Sequence, residues 1–215
     1  MQRRSIRAFL PDAVDRECIE AILSCARQAP SGANLQPGSF HVLTGDALKD
    51  VSHALGDAIA AKRKPVAEYS YFPEHLSAAL KARQHDAGFA LYEALGIERR
   101  DTKARREQFA RNYRFFDAPV GIVVTIDRNM GKGCFMDLGM ALMNLFTSAH
   151  TRGLGTSGIG ALANHADVVH TALSLPEDEM VVCGIALGFA DVDHPVNTVR
   201  TTRESLDSFT TFHGF

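Results

Sequence analysis

Val14, Ile19, Ile22, Leu23 and Ala26 recur at helical spacing, which places them on one face of an amphipathic helix. Asp12 ahead of them and Pro30 behind predict where that helix starts and stops. Residues 30–38 are rich in Ser, Gly, Asn and Pro and predict a loop. Phe40-His41-Val42-Leu43 follows as a strand, closed by Thr44-Gly45-Asp46. A second helix is predicted over 47–62. Two prolines and three aromatics break the pattern over 65–73. Helical spacing resumes over 74–95, and the heavily charged stretch 98–114 reads as partly helical.

Two runs, 120–125 and 180–187, are continuously apolar and rich in β-branched residues, as central strands are. Between them the helix predicted over 135–152 carries Met136, Leu138, Met140, Leu142, Met143, Leu145 and Phe146 on several faces. A helix apolar all round must be covered all round. A chain of this size rarely wraps one helix completely, and composition leaves open whether a second subunit covers one side. Val168, Val169, Leu173 and Leu175 predict one more helix. Strands separated by helices, with no internal repeat, indicate an α/β or α+β protein.

At 215 residues, 46% hydrophobic and 22% charged, the chain is expected to fold as one compact domain or two lobes sharing a core, not as a disordered segment. A net charge of −2 gives no general field for a polyanion, so no nucleic-acid partner is expected. The longest apolar stretch, 180–187, falls well short of the roughly 18–20 residues of a membrane span. The basic start runs into Phe9-Leu10-Pro11-Asp12 instead of an apolar segment, so a cytoplasmic location is expected. Cys18, Cys25, Cys134 and Cys183 lack metal or disulfide spacing, and Cys18 and Cys25, seven apart in a helical pattern, read as buried thiols.

Arg3, Arg4, Ser5 and Arg7 gather three guanidinium groups and a hydroxyl, a composition suited to phosphate or carboxylate. Arg200-Thr201-Thr202-Arg203 forms a second such group near the other end. Each is equally an ordinary solvated basic segment when taken alone. The run 153–160, Gly-Leu-Gly-Thr-Ser-Gly-Ile-Gly, superficially resembles a dinucleotide fingerprint, but it follows a helix and its spacing is wrong. Its glycines would still let backbone amides approach a ligand. With no catalytic triad, zinc motif or phosphate-loop lysine in the sequence, chemistry is expected to rest on a bound organic cofactor.

Taken in order, Arg3-Arg4-Ser5-Ile6-Arg7, the loop Ala29-Pro30-Ser31-Gly32-Ala33-Asn34-Leu35-Gln36-Pro37 and Gly153-Leu154-Gly155-Thr156 resemble the FMN-dependent nitroreductase family. The likeness continues through Asn112-Tyr113-Arg114-Phe115-Phe116-Asp117-Ala118-Pro119, Asp137-Leu138-Gly139-Met140, residues 183–189 and Arg200-Thr201-Thr202-Arg203-Glu204, so it covers nearly the whole chain. The ending 209–215 resembles the nitrobenzoate-reductase-like branch.

The resemblance implies an α+β sandwich, a mainly antiparallel central sheet flanked by helices, in an intertwined homodimer with FMN at the interface and the C-terminal tail reaching over the partner. It implies an NAD(P)H-dependent oxidoreductase, taking NADH or NADPH, that reduces nitroaromatic or quinone-like small molecules by ping-pong hydride transfer. Residue by residue, Arg3, Ser5 and Arg203 correspond to phosphate ligands, with Arg4 contributing backbone and Arg7 lying beside the pyrimidine edge of the flavin. Pro30, Ser31, Gly32, Asn34 and Gln36 correspond to the second subunit's contacts with the ring and ribityl chain. Ile159 and Gly160 match the backbone that covers one flavin face, with the Gly160 amide supporting the reactive N5, so no side chain need be catalytic. Acceptor choice is expected to come from the region 65–113 and from Phe135 near the pocket mouth, with Tyr113 and Arg114 among the acceptor contacts. Two departures stand out: Gly38 follows Pro37 where the family usually has Trp, and Thr156-Ser157-Gly158-Ile159 replaces the branch's Thr-Cys-Pro-Gln. A reductive dehalogenase of the same fold, and a flavin-binding protein without turnover, are the alternatives.

Overall fold

The structure is a computed structural model in which residues 3–214 are described. Four strands, β1 (Ser39–Thr44), β2 (Val120–Asp127), β3 (Gly155–Ile159) and β4 (Glu179–Gly188), form one sheet in the order β1-β2-β4-β3. Every neighbouring pair is antiparallel. The two continuously apolar runs are the two central strands, buried on both faces because helices cover each side.

One face of the sheet, with Ile122, Val124, Ile185 and Leu187, packs against α1 (Arg16–Arg27) and α5 (Lys132–Thr151). Ile22 and Leu145 are fully buried there, each contributing about 1.5–3 kcal/mol of transfer free energy. The opposite face, with Val123, Val181 and Ala186, is covered by α2 (Gly45–Ala60), α6 (Ala166–Leu173) and a 3-10 run at Arg111–Asp117. That run carries Phe115 and Phe116 into the core with positive φ of 50° and 54°. The α+β sandwich expected from the resemblance is therefore the observed architecture.

Several local readings change. The first helix begins at Arg16 behind Asp15, not behind Asp12, and Asp15 makes no side-chain cap. The third, α3 (Ala78–Ala94), begins only after Ser77, whose hydroxyl accepts from the Leu80 amide at 3.3 Å. The charged stretch divides into α4 (Thr102–Ala110) and the 3-10 run. The glycine-rich turn is an edge strand, β3, which pairing with β4 supplies despite poor strand propensity. A short α7 (Leu206–Phe209) lies in the tail. Cys18 and Cys25 are only half-buried; the buried thiol is Cys183, pushed up to about 12 by desolvation.

The apolar helix α5 buries Leu138, Ala141 and Leu145 against the sheet and α1. It leaves Met136, Met140 and Met143 71%, 40% and 43% exposed. These three lie four and three residues apart and form one stripe.

Candidate functional site

The two arginine groups, nearly two hundred residues apart in sequence, meet beside β3. Ser5 forms a parallel bridge with Thr156, and the Ile6 amide donates to the Thr156 carbonyl at 2.9 Å. Asn197 closes the arrangement from the other end. Its Oδ1 accepts from the Arg7 amide at 2.8 Å, and its Nδ2 donates to the carbonyls of Ala8 and Asp191 at 2.8 and 2.7 Å. The result is a cleft of about 160 Å³ lined by Arg3, Arg4, Ser5, Arg7, Arg200 and Arg203, with Val199 and Thr201.

Among the described residues none of these arginines pairs with a carboxylate. Arg4 Nε donates to the Asn197 carbonyl at 2.9 Å, Arg200 to carbonyls of residues 197–199, and Arg203 Nη1 to Thr201 Oγ1 at 2.7 Å. Arg3 stacks over Phe146 at 5.7 Å. Burial lowers the Arg7 pKa, and burial followed by the Arg200 charge lowers that of Arg4. Cations held together without counter-charge form a site for a multiply charged anion such as a phosphate monoester.

Along β3 from this cleft the surface turns bare. Gly158 is exposed, and a Cβ there would stand 3.4 Å from the Phe146 ring tip. A Cβ on Gly160 would meet Tyr71 Cε2 at 2.9 Å. Tyr71 packs edge-on with Phe72 at 4.9 Å, and Tyr69 lies 6.5 Å from Tyr71 and 6.0 Å from Phe135. Side-chain-free backbone beside an aromatic wall fits a flat ring, and the arginine cleft at its other end fits a phosphate. A flavin mononucleotide has that shape and charge, so the residues present fit FMN.

The structure thus brings together Arg3, Arg4, Ser5, Arg7 and Arg203 beside β3, with Ile159 at the end of that strand, Gly160 directly after it and Phe135 at the aromatic wall. It places the others elsewhere within the protomer. The loop carrying Pro30, Ser31, Gly32, Asn34 and Gln36 lies against α5, where the Gly32 amide donates to Asp137 Oδ2 at 3.0 Å and the Gln36 amide to Ser31 Oγ at 2.9 Å. Tyr113 is buried, its ring 5.4 Å from that of His165. Arg114 pairs with Asp117 at 3.2 Å and lines a groove with Thr44 and Leu48 by the β1 end of the sheet. Gly38 has a φ of +93°, and a Cβ there would lie 2.6 Å from Leu138. The side chain usual at this position therefore has no room against α5. Asn197 gave no distinct sequence signal, whereas the aromatic wall falls in the region 65–113 and at Phe135, where acceptor choice is expected.

The nitroreductase family model matches residues 1–189. The chain belongs to the nitroreductase family. This nitroreductase is 37% identical over 214 residues to a 4-nitrobenzoate reductase of Pseudomonas putida, covering 99% of this chain and 93% of the relative. It is 40% identical to a chloronitrobenzene nitroreductase of Comamonas testosteroni, covering 98% and 93%. Among solved structures it superposes at a TM-score of 0.96 on the FMN and NADPH-dependent nitroreductase NfnB from a Sphigopyxis strain, with 36% identity and 99% and 96% coverage. It also superposes at 0.93 on the FMN-dependent NfnB from Mycobacterium smegmatis in complex with NADPH, with 31% identity and 98% and 94% coverage.

Proposed function

We propose that this nitroreductase is an FMN-dependent enzyme that takes reducing equivalents from NADPH or NADH and passes them to nitroaromatic acceptors in a ping-pong cycle. The observation that carries the reading is an arginine cleft without counter-charge among the described residues beside β3, with exposed Gly158 on that strand and Gly160, just past its end, against an aromatic wall. Its relatives' names, 4-nitrobenzoate reductase among them, supply the acceptor class.

Bound FMN supplies the two-electron redox chemistry at N5. Arg3, Ser5 and Arg203 would hold its phosphate, with Arg4 contributing backbone, and Arg7 would supply positive charge to the ring. Ile159 and Gly160 would offer backbone to the ring, the Gly160 amide as a hydrogen-bond donor to its reactive nitrogen, so that no side chain need act as acid or base. Phe135 and the neighbouring tyrosines bound the space where donor and acceptor succeed one another. We read the whole chain, 1–215, as one flavin-binding unit.

The unit is a homodimer in this reading. The Met136, Met140 and Met143 stripe requires a cover, and a second copy across α5 brings the partner subunit's Pro30, Ser31, Gly32, Asn34 and Gln36 to the flavin. Tyr113, buried against the His165 ring, and Arg114, paired with Asp117, have no acceptor contact in this reading. Among the described residues no helix is long and apolar enough to cross a membrane, in keeping with a cytoplasmic enzyme.

The test is an anaerobic absorbance spectrum before and after NADPH, and then after 4-nitrobenzoate. The expected result is a flavin band that bleaches and returns. A band that never bleaches means flavin binding without this turnover, and none after FMN is supplied refutes the cofactor reading.

A further inference from the structure

The segment of residues 65–72 meets β4 at an irregularity in that strand. Val124 pairs with Cys183 but Thr125 pairs with Val181, so Val182 is an extra residue with no partner on β2. Such a bulge disrupts the ladder locally and bends the strand. Two consecutive side chains of the segment occupy this place. Glu68 Oε2 accepts from the Val181 amide at 2.8 Å, and Tyr69 Oη donates to the Val182 carbonyl at 2.6 Å.

The attachment is reinforced around both residues. Glu68 Oε1 pairs with Arg128 and stands 3.5 Å from His170 Nε2. Arg128 is itself fixed to the carbonyls of Glu177 and Glu179 at 2.9 Å. Burial pushes the Tyr69 hydroxyl up to about 12, so it is a protonated donor at neutral pH. Upstream, the Val66 amide donates to the Asn164 carbonyl at 2.8 Å. Two residues downstream of Tyr69, Tyr71 lies against Gly160, although its ring is largely exposed. An exposed ring is held in register by its backbone, and that backbone is fixed at the bulge.

We propose that Glu68 and Tyr69 are positioning residues, which by engaging the Val181 amide and Val182 carbonyl at the β4 bulge hold Tyr71 over Gly160, with Phe72 edge-on to it, and set which planar acceptors the nitroreductase admits. The acceptor role rests on the flavin reading above; the clamp does not. Neither residue belongs to the arginine cleft, so loosening the clamp widens the acceptor space without touching the phosphate contacts.

The test uses full-length Glu68→Ala, Glu68→Gln and Tyr69→Phe proteins. Tyr69→Phe keeps the ring against Phe135 and removes only the donor; Glu68→Gln keeps an oxygen for the Val181 amide. In Tyr69→Phe and Glu68→Ala, exchange of the Val66 amide, and in Glu68→Ala of the Val181 amide as well, is expected to rise about three- to tenfold, the equivalent of one lost hydrogen bond. The preference in kcat/KM for 4-nitrobenzoate over a fused two-ring nitroarene is expected to fall by about the same factor, mainly through KM. FMN affinity is expected to stay within about twofold of wild type, and Glu68→Gln to recover most of the preference. If Glu68→Ala does not fold, Tyr69→Phe carries the test alone. Unchanged exchange in Tyr69→Phe overturns the clamp. Faster exchange with an unchanged acceptor preference, or an equal loss on both acceptors accompanied by FMN release, overturns the specificity role. A wild-type protein that takes up no FMN overturns the flavin reading and the acceptor role with it, while exchange still decides the clamp.

Discussion

The side chain of Asn197 accepts from the Arg7 amide at 2.8 Å, joining two residues 190 positions apart. Its amide nitrogen holds the carbonyls of Ala8 and Asp191, and the side chain is buried. One asparagine thus fixes the N-terminal arginine segment to the C-terminal one.

Replacing Asn197 with Ala leaves the Arg7 N–H without its acceptor and takes one of two donors from the carbonyls of Ala8 and Asp191, which keep the amides of Asp191 and His194. The expected cost is about 1–3 kcal/mol of stability, together with weaker FMN binding because the arginine groups lose their common anchor. Urea unfolding and FMN titration measure both. Stability within about 0.5 kcal/mol of wild type would falsify the anchoring role.

Arg203→Ala separates binding from folding. The guanidinium is exposed and its bonds are local, to Thr201 and Thr202, so the thermal midpoint should barely move. Losing a charge-assisted phosphate contact costs about 1.5–3 kcal/mol, roughly a 10- to 150-fold rise in FMN Kd. Fluorescence quenching on FMN titration reads it directly, and an unchanged Kd removes Arg203 from the phosphate site.

The methionine stripe predicts an assembly. Wild-type protein should sediment as a dimer, and Met136→Glu combined with Met140→Glu as a monomer with much-reduced FMN retention. Both side chains project from an exposed face of the helix, so circular dichroism should show the protomer fold intact. A double variant that stays dimeric moves the interface off α5.

His165 makes stability depend on pH. It is buried, its Nδ1 has no hydrogen-bond partner among the described residues, and it faces the Tyr113 ring, Asp167 and Arg63. Desolvation lowers its pKa from the ordinary 6.5, with Asp167 opposing and Arg63 assisting. The unfolded chain therefore takes up a proton first as pH falls, and the contribution of neutral His165, present above about 6.5, is lost below it. The urea midpoint should drop between about pH 7.5 and about pH 5.5, and more steeply than in His165→Phe. Equal slopes in the two proteins would exclude His165 as the source.

Much of this was legible from residue order. Continuous apolar runs gave β2 and β4, because a strand covered on both faces needs no alternation. The amphipathic spacing of Ile19, Ile22 and Ala26 gave α1. The edge strand β3 was hidden, since Gly155, Ser157 and Gly158 carry little strand propensity and adopt the strand through pairing with β4. The true start of α1 was equally hidden: Asp12 and Asp15 are the same residue type, and only the path of the chain chooses between them.

At the site, residue types determined the chemistry: guanidinium groups seek phosphate and glycine yields backbone to a ring. What only tertiary structure decided was their coincidence. Arg3 and Arg203 share one cleft because Asn197 bonds across the fold. Gly160 faces an aromatic wall because Glu68 and Tyr69 engage a bulge more than a hundred residues further along the chain. Sequence periodicity reports what each element needs to bury, whereas hydrogen bonds between distant segments depend on where the packed elements bring their free donors and acceptors.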